Sequence, residues 1–249
     1  YYAPPKERPF LEEAGRDPGR LKIGFLTRIP EGWSDRTDLH PDCESAVKDA
    51  ALLCEGLGHT VEEVNPGTLG HPNIPATFGF IFSCFLGHAV AYWEKELGKK
   101  IKQDELEPIT WGRYQGSLTR PGVDYPVTME EIQRFSRKIA RWYHEGGYDL
   151  LLTPTMTIPP TKLGAFQSTP DDPMKWLGVA LAFTAFTRIQ NLTGQPAMSI
   201  PLFWNKDNIP IGVQFAGRFG DEASLFRLAA QLEQARPWSK RWPAISAFQ

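Results

Sequence analysis

Strand-like and helix-like segments alternate along this chain, and the first such unit constrains the fold most. Alternating apolar residues predict a β-strand over residues 21–26, after a turn at residues 17–19. Residues 41–57 follow with apolar positions spaced three and four apart, which is typical of an amphipathic helix, and residues 60–64 return to strand character. A strand, a crossover helix and a second strand predict two parallel strands with the helix packed across them.

The middle of the chain continues this alternation. Residues 78–93 are strongly apolar, and a buried helix is predicted over residues 78–97. Thr128 and Glu131 form a capping box, which predicts the start of a further helix that ends at residues 146–147. That helix leads into residues 148–152, which are apolar enough for a central strand. Alternating strands and helices predict a mixed sheet covered on both faces.

Residues 177–217 carry the densest pattern. Residues 177–192 are apolar almost all round, which predicts one buried helix that begins near Asp172 and ends at Gly194. Residues 197–202 form a short apolar run and residues 211–216 alternate, so both segments are predicted to be strands joined by a polar turn.

Three sequence blocks then follow in a fixed order: NLTGQPAMSIP at residues 191–201, IPIGVQFAG at residues 209–217, and LAAQLE at residues 228–233 in a helix capped by Asp221 and Glu222. Together they resemble the C-terminal half of an amidase signature family enzyme. The opening YYAPPKERPFLEE and the closing LAAQLEQARPW are similar, more narrowly, to the branch named after 6-aminohexanoate cyclic dimer hydrolase. The resemblance implies an α/β fold, the C-terminal part of an α/β/α sandwich with a mixed β-sheet.

The resemblance also implies a domain organisation. Residues 1–249 are expected to be the C-terminal half of an amidase signature domain, whose N-terminal catalytic half this sequence does not contain. The sequence starts at Tyr1 rather than Met, and its Pro-rich lead, including Ala3 and Pro9, is typical of a linker. We expect such a half to leave apolar surface and a strand edge uncovered when it is alone.

Amidase signature enzymes use a serine nucleophile, a second serine on a cis peptide and a lysine base. None of the ten serines here lies in the Gly-Ser-rich loop that this chemistry needs, and Ser199 is predicted to be a hydrogen-bonded strand residue. The resemblance places the triad upstream, so no catalytic residue is assigned in this chain. The predicted function is hydrolysis of a linear or cyclic carboxamide by the complete protein.

Two other functions stay open. One is the A subunit of an aminoacyl-tRNA amidotransferase, which uses the same triad to release ammonia from glutamine. The other is a non-catalytic α/β binding module, since the chain has no assignable nucleophile. The closing residues and the apolar segment at residues 78–93 favour the hydrolase branch.

Substrate-binding residues follow only from the resemblance. Phe186 and Ile189 are three residues apart, hence on one helix face, just before the NLTG motif that resembles a channel wall of the family. Cys84 lies on the apolar helix that flanks the substrate in the cyclic dimer hydrolase branch. For each of the three, ordinary core packing is the alternative interpretation.

Composition limits the partners. A net charge of -2 without a long basic run argues against nucleic acid and against an anionic membrane surface. Residues 78–93 are shorter than the roughly 20 residues of a membrane span, so no membrane partner is predicted. The five histidines show no metal-ligand spacing, and no metal or cofactor is predicted. The predicted partners are a small-molecule amide substrate and the N-terminal half of the same amidase, with a homodimer as an open option.

The cysteines indicate the compartment. Cys43 and Cys54 are eleven residues apart on one predicted helix, roughly 16 Å along its axis, and cannot form a disulfide. Three cysteines without a disulfide pattern predict a reducing, cytoplasmic location.

Overall fold

A computed structural model describes residues 4–35, 38–243 and 245–246, so Tyr1 and Ala3 of the predicted linker lie outside the described residues. Strands and helices alternate along most of the described chain. The strands are β1 (Lys22–Phe25), β2 (Thr60–Glu63), β3 (Leu150–Pro154), β4 (Ala197–Trp204) and β5 (Pro210–Gly217). The helices are α1 (Phe10–Glu13), α2 (Pro41–Gly56), α3 (Ile74–Leu97), α4 (Pro108–Leu118), α5 (Asp124–Gly146), α6 (Leu177–Phe183), α7 (Arg188–Thr193) and α8 (Glu222–Ala235).

The five strands form one mixed sheet in the order β2-β1-β3-β5-β4. β1 is parallel to both β2 and β3, whereas β5 is antiparallel to β3 and β4. The predicted parallel pair is confirmed, with Ile23 opposite Val61 in the register of β1 and β2. The predicted β4–β5 hairpin is confirmed too, and an irregularity interrupts its pairing between Ile200 and Phe203.

Helix α2 covers one face of the sheet, as its apolar spacing predicted. The His40 ring accepts a hydrogen bond from the Asp42 N–H at 3.1 Å, which caps the helix in front of Pro41. Its inward stripe packs with α8 against the sheet in a core that includes the following residues: Cys43, Val47, Ala50, Cys54, Ile23, Leu150, Leu152, Val213, Phe215, Leu228 and Leu232.

Helices α5 and α7 pack on the opposite face. Ile139 and Tyr143 of α5 are 2% exposed and share a core with Leu151 of β3. The Tyr143 hydroxyl donates a 2.9 Å hydrogen bond to the Ala216 carbonyl of β5, which ties α5 to the sheet. Gly147 ends α5 in the left-handed conformation at φ 66°, where glycine has no steric penalty. The two covered faces confirm the predicted α/β layering.

Helix α3 corrects one prediction. It was expected to be buried, but its buried side chains are Ile74, Pro75, Thr77 and Val90, and several large apolar side chains on it are exposed: Phe82, Phe85, Tyr92, Trp93 and Leu97. The reason is that α3 packs chiefly against α4 rather than against the sheet. By length and composition alone the stretch Pro66–Leu97 could cross a membrane, with a mean hydropathy of 1.6 in its most apolar window.

The predicted single helix over residues 177–192 is wrong. The chain forms α6 and α7, separated by residues 184–187. The Thr184 hydroxyl bonds the Ala180 carbonyl at 3.1 Å and the Thr187 hydroxyl bonds the Thr184 carbonyl at 3.4 Å. Such local hydrogen bonds weaken and bend helices, and here they accompany the break.

Two predicted helix starts are also wrong. Helix α6 begins at Leu177 rather than near Asp172. The Asp172 N–H donates a hydrogen bond to the Thr169 hydroxyl at 3.2 Å. Helix α5 begins at Asp124, so the predicted capping pair at Thr128 and Glu131 lies inside the helix. Asp172 takes part in a local turn with Thr169 instead of a helix start, and at Thr128 the helix had already begun one turn earlier.

Candidate functional site

A pair of hydroxyl groups lies where the loop after β3 meets the β4–β5 hairpin. The Thr155 and Ser199 side-chain oxygens are 2.6 Å apart, and the Thr155 N–H donates to the Gly212 carbonyl at 3.0 Å. A Cβ atom at Gly212 would lie 2.9 Å from the Ser199 oxygen and 3.0 Å from the Thr155 oxygen, so glycine leaves the room that the pair occupies. The prediction that Ser199 is a hydrogen-bonded strand residue is confirmed.

This hydroxyl pair borders a cavity of about 310 Å³, which we call the β3-end cavity. Its wall is mostly apolar and includes Met156, Ile158, Phe166, Phe183 and Ile211. A small apolar group with a hydrogen-bonding atom suits such a lining, because the few polar side chains, including the hydroxyl pair and Thr161, lie among apolar ones.

A second cavity of about 300 Å³ lies between α3, α4 and α6, and we call it the α3–α6 cavity. Its lining includes Phe80 and Ser83 of α3, Arg113 of α4, and Leu177 and Leu181 of α6. Arg113 is 8% exposed, and its guanidinium lies 4.9 Å from the centre of the Phe82 ring. Burial lowers the pKa of Arg113 from its usual value, yet the group stays a cation at neutral pH.

Phe186 and Ile189, the predicted channel residues, lie in the core. They are 0% and 1% exposed, and the Phe186 ring packs edge-on to Trp33 with 6.2 Å between ring centres. Neither lines the two cavities described above. Phe183, which sequence reasoning did not select, does line the β3-end cavity. Phe183 ends α6, and Phe186 lies in the break between α6 and α7. The apolar sequence pattern did not predict that break.

Cys84, the third predicted residue, lies on α3 and is half-buried. Its neighbour Ser83 lines the α3–α6 cavity. Burial raises the pKa of the Cys84 thiol, so the side chain is a neutral thiol at pH 7. The substrate-binding role of Cys84, like that of Phe186 and Ile189, stays a prediction.

Sequence reasoning also missed Arg188, a charged residue inside an apolar run. Its side chain is 1% exposed and donates to three main-chain carbonyls, those of Thr184, Trp33 and Leu181, at 3.2, 3.0 and 2.5 Å. Burial lowers the pKa of Arg188 to about 10. Arg188 therefore ties the helix break to the loop after β1, and a lone arginine among apolar residues was the available signal.

The arrangement offers binding surfaces rather than a nucleophile. Ser199 is hydrogen-bonded to Thr155, and among the described residues no lysine or histidine hydrogen-bonds to it as a base. Across the described ranges no group of three His, Cys, Asp or Glu side chains is placed to hold a metal ion. The two cavities of the described chain offer surfaces that can shape and orient a ligand.

Comparison with known proteins identifies the class of this α/β chain. The family model for amidases matches residues 1–226. The chain is 30% identical, over 98% of its length, to 6-aminohexanoate-cyclic-dimer hydrolase from Paenarthrobacter ureafaciens, of which the match covers 50%. The chain belongs to the amidase family. It spans about half the length of the curated relatives it matches.

Solved structures agree with this assignment. The structure of 6-aminohexanoate cyclic dimer hydrolase complexed with substrate superposes with a TM-score of 0.88 at 30% identity, covering 98% of this chain and 51% of that one. A bacterial aryl acylamidase of the amidase signature family matches with a TM-score of 0.70 at 16% identity, covering 92% and 46%, and shows the shared fold. The fold class predicted from the sequence motifs is confirmed.

Proposed function

We propose that this chain is part of an amide hydrolase that cleaves a linear or cyclic carboxamide through a Ser-cisSer-Lys triad located outside this chain. The observation that carries the proposal is the similarity to 6-aminohexanoate cyclic dimer hydrolase, which extends over 98% of the chain in both sequence and structure. The hydroxyl pair and the two cavities supply binding surface, which is what such a half would contribute.

The large exposed surface area of this chain supports the proposal that another polypeptide covers part of it. A compact monomer of this mass, 28.0 kDa, is expected to expose about 11,000 Å². This chain exposes 14581 Å². The surplus, roughly 3,500 Å² on this chain alone, is larger than the share of about 1,000–2,500 Å² that each partner buries in most permanent interfaces. Another polypeptide segment of that interface size is therefore part of the proposal, and the N-terminal half of the same amidase is the partner we propose.

The sheet edge supports the same partner. β4 pairs with β5 on one side, and within the described residues no strand pairs with its other side. The exposed residues Ala197 and Ser199 lie at the start of this edge strand. Because an open strand of eight residues is prone to pair with another chain, we propose that strands of the N-terminal half complete the sheet here.

In the complete enzyme, Phe186, Ile189 and Cys84 are the proposed substrate-binding residues of this half. Cys84 is half-buried and follows Ser83, which lines the α3–α6 cavity, whereas the other two would act through the wall they support. The enzyme is proposed to be cytoplasmic, which agrees with three free thiols in the described chain. A homodimer is a further way to cover the surplus surface.

The test uses the full-length protein and a panel of linear and cyclic carboxamides. Hydrolysis that is abolished by replacing the upstream serine nucleophile, and that residues 1–249 alone do not catalyse, is the expected result. Glutamine-dependent ammonia release without hydrolysis of the panel would instead indicate the amidotransferase subunit. A full-length protein that neither hydrolyses an amide nor reacts with a serine-directed fluorophosphonate would contradict the proposal and favour a binding module.

A further inference from the structure

One large cavity of the described chain has no part in the predicted site. It is a cleft of about 850 Å³ between the turn that precedes α3 and one face of α5, and we call it the basic cleft. Its lining carries six charged side chains: Arg120, Asp124, Glu131, Arg134, Lys138 and Arg141. Four cations against two anions leave an excess of positive charge, which would attract an anionic ligand.

The cations of the cleft differ in how far they are already neutralised. Arg120 lies 3.7 Å from the Asp124 carboxylate, and Arg134 lies 2.5 Å from Glu130, which is outside the cleft. Lys138 donates one hydrogen bond, 2.6 Å long, to the Gly70 carbonyl, which leaves two of its three N–H groups.

Arg141 is exposed and has no ion-pair partner among the described side chains. Arg134, Lys138 and Arg141 are spaced four and three residues apart on α5, so they share one helix face. Lys138 and Arg141 are therefore neighbouring cations with unused donors.

The floor of the cleft is apolar. Phe135 is 3% exposed, and Phe80 and Val127 line the cleft beside it. The His71 ring packs edge-on to Phe135 with 4.8 Å between ring centres, and its Nδ1 accepts the Asn73 N–H at 3.0 Å. Burial lowers the pKa of His71 below its usual value, so the ring is neutral at pH 7 and adds polar surface without charge.

We propose that the basic cleft binds an organic acid, with its carboxylate on Lys138 and Arg141 and its apolar chain over Phe135 and Phe80. The charge balance selects this class over a polyanion, because Asp124 and Glu131 would repel a ligand with many negative charges. The volume suits a medium-sized organic ligand, for which pockets of roughly 300–1,000 Å³ are usual.

The basic cleft adjoins the α3–α6 cavity. Ala76, Phe80 and Arg120 line both spaces, so a ligand in one would lie against the wall of the other. The proposal does not depend on amide hydrolysis, because it concerns binding and is measured as binding.

The test is calorimetric titration of the full-length protein, with its serine nucleophile replaced so that no amide is cleaved, with decanoate and with decanamide, which has the same chain and a neutral head group. Decanoate is expected to bind at least tenfold more tightly than decanamide. Arg141→Met and Lys138→Met are each expected to weaken decanoate binding at least fivefold and to leave decanamide binding unchanged. Raising the salt concentration should weaken the binding of decanoate alone.

Arg137→Met is the matched control, because Arg137 is an exposed cation on the same helix that does not line the cleft. It removes the same charge from the protein and should leave decanoate binding unchanged. Three results would overturn the proposal: no decanoate binding by the full-length protein, equal affinity for decanoate and decanamide, or equal losses in Arg141→Met and Arg137→Met. A cleft that the rest of the protein covers would give the first of these.

Discussion

Replacing Ile189 with alanine tests whether this side chain shapes the substrate channel or only packs in the core. The side chain is 1% exposed on α7 and belongs to the core between α5, α7 and the sheet. The substitution removes three carbons, worth about 2.4 kcal/mol at ~0.8 kcal/mol for each buried methylene. The cavity left behind brings the expected loss of stability to ~2–5 kcal/mol. In the full-length enzyme this should lower Tm by about 4–20 °C, since each kcal/mol is worth roughly 2–4 °C in a domain of 150–250 residues.

The matched control is Ile139→Ala, because Ile139 is 2% exposed, lies in the same core and has no predicted contact with substrate. Both variants should lose similar stability. The assay measures kcat/KM for carboxamides whose acyl chains differ in length, at a temperature where both variants are folded. If Ile189 shapes the acyl channel, Ile189→Ala alone should change the ranking of acyl chains, by more than ~1 kcal/mol between two substrates.

The reasoning is refuted if Ile189→Ala and Ile139→Ala scale every substrate by the same factor. Ile189 would then be core, and the channel assignment carried by the sequence resemblance would be wrong. Ile189→Val adds a graded test, because removing one methyl group should give a smaller change in the same direction for both stability and substrate ranking.

Three further predictions concern single side chains. Tyr143→Phe should cost ~1–3 kcal/mol in urea unfolding, because a buried carbonyl of β5 loses its donor; an unchanged midpoint would show that water replaces the hydroxyl. Gly147→Ala should cost about 1–2 kcal/mol through backbone strain alone, since its φ is 66° and nothing lies within 4 Å of an added Cβ; Gly→Ala at an exposed helical position is the comparison. Alkylation should reach Cys84 first, and more rapidly as pH rises toward its raised pKa. Burial raises the pKa of Cys43 and of Cys54 to about 12, so early labelling of either by mass spectrometry would contradict the packing of α2.

The strand pairing could be predicted because its signals are local. The alternation at residues 21–26, the amphipathic spacing of α2 and the short link to β2 leave one chain path, a parallel pair with a crossover helix. The hairpin of β4 and β5 has the same character, because a polar turn between two apolar strands requires antiparallel neighbours. The sheet order β2-β1-β3-β5-β4 combines these two local units through β3.

The site could be predicted less well, because it depends on where helices break and what lies against them. Thr184 and Thr187 lie at the break between α6 and α7 and bond to nearby carbonyls. Hydroxyl side chains in an apolar run do not by themselves predict a break, because Ser136 makes the same kind of bond inside α5. The break then places Phe183 at a cavity and Phe186 in the core. A continuous helix would have kept both residues on one face, whereas Phe186 was selected because the resemblance places channel residues on the helix before the NLTG motif.

Helix α3 shows why an apolar sequence does not by itself predict burial within the same chain. A helix that is apolar all round is expected in a core, yet Phe85 is 68% exposed and Trp93 is 53% exposed. The rule depends on the free energy of removing apolar surface from water, which requires burial but does not specify which polypeptide provides it. The surplus exposed area of roughly 3,500 Å² relative to a compact monomer supports the proposal that the cover for α3 comes from outside this chain. On that proposal, the apolar sequence of α3 correctly predicts a buried helix in the complete protein, whereas the same side chains are exposed in this chain alone.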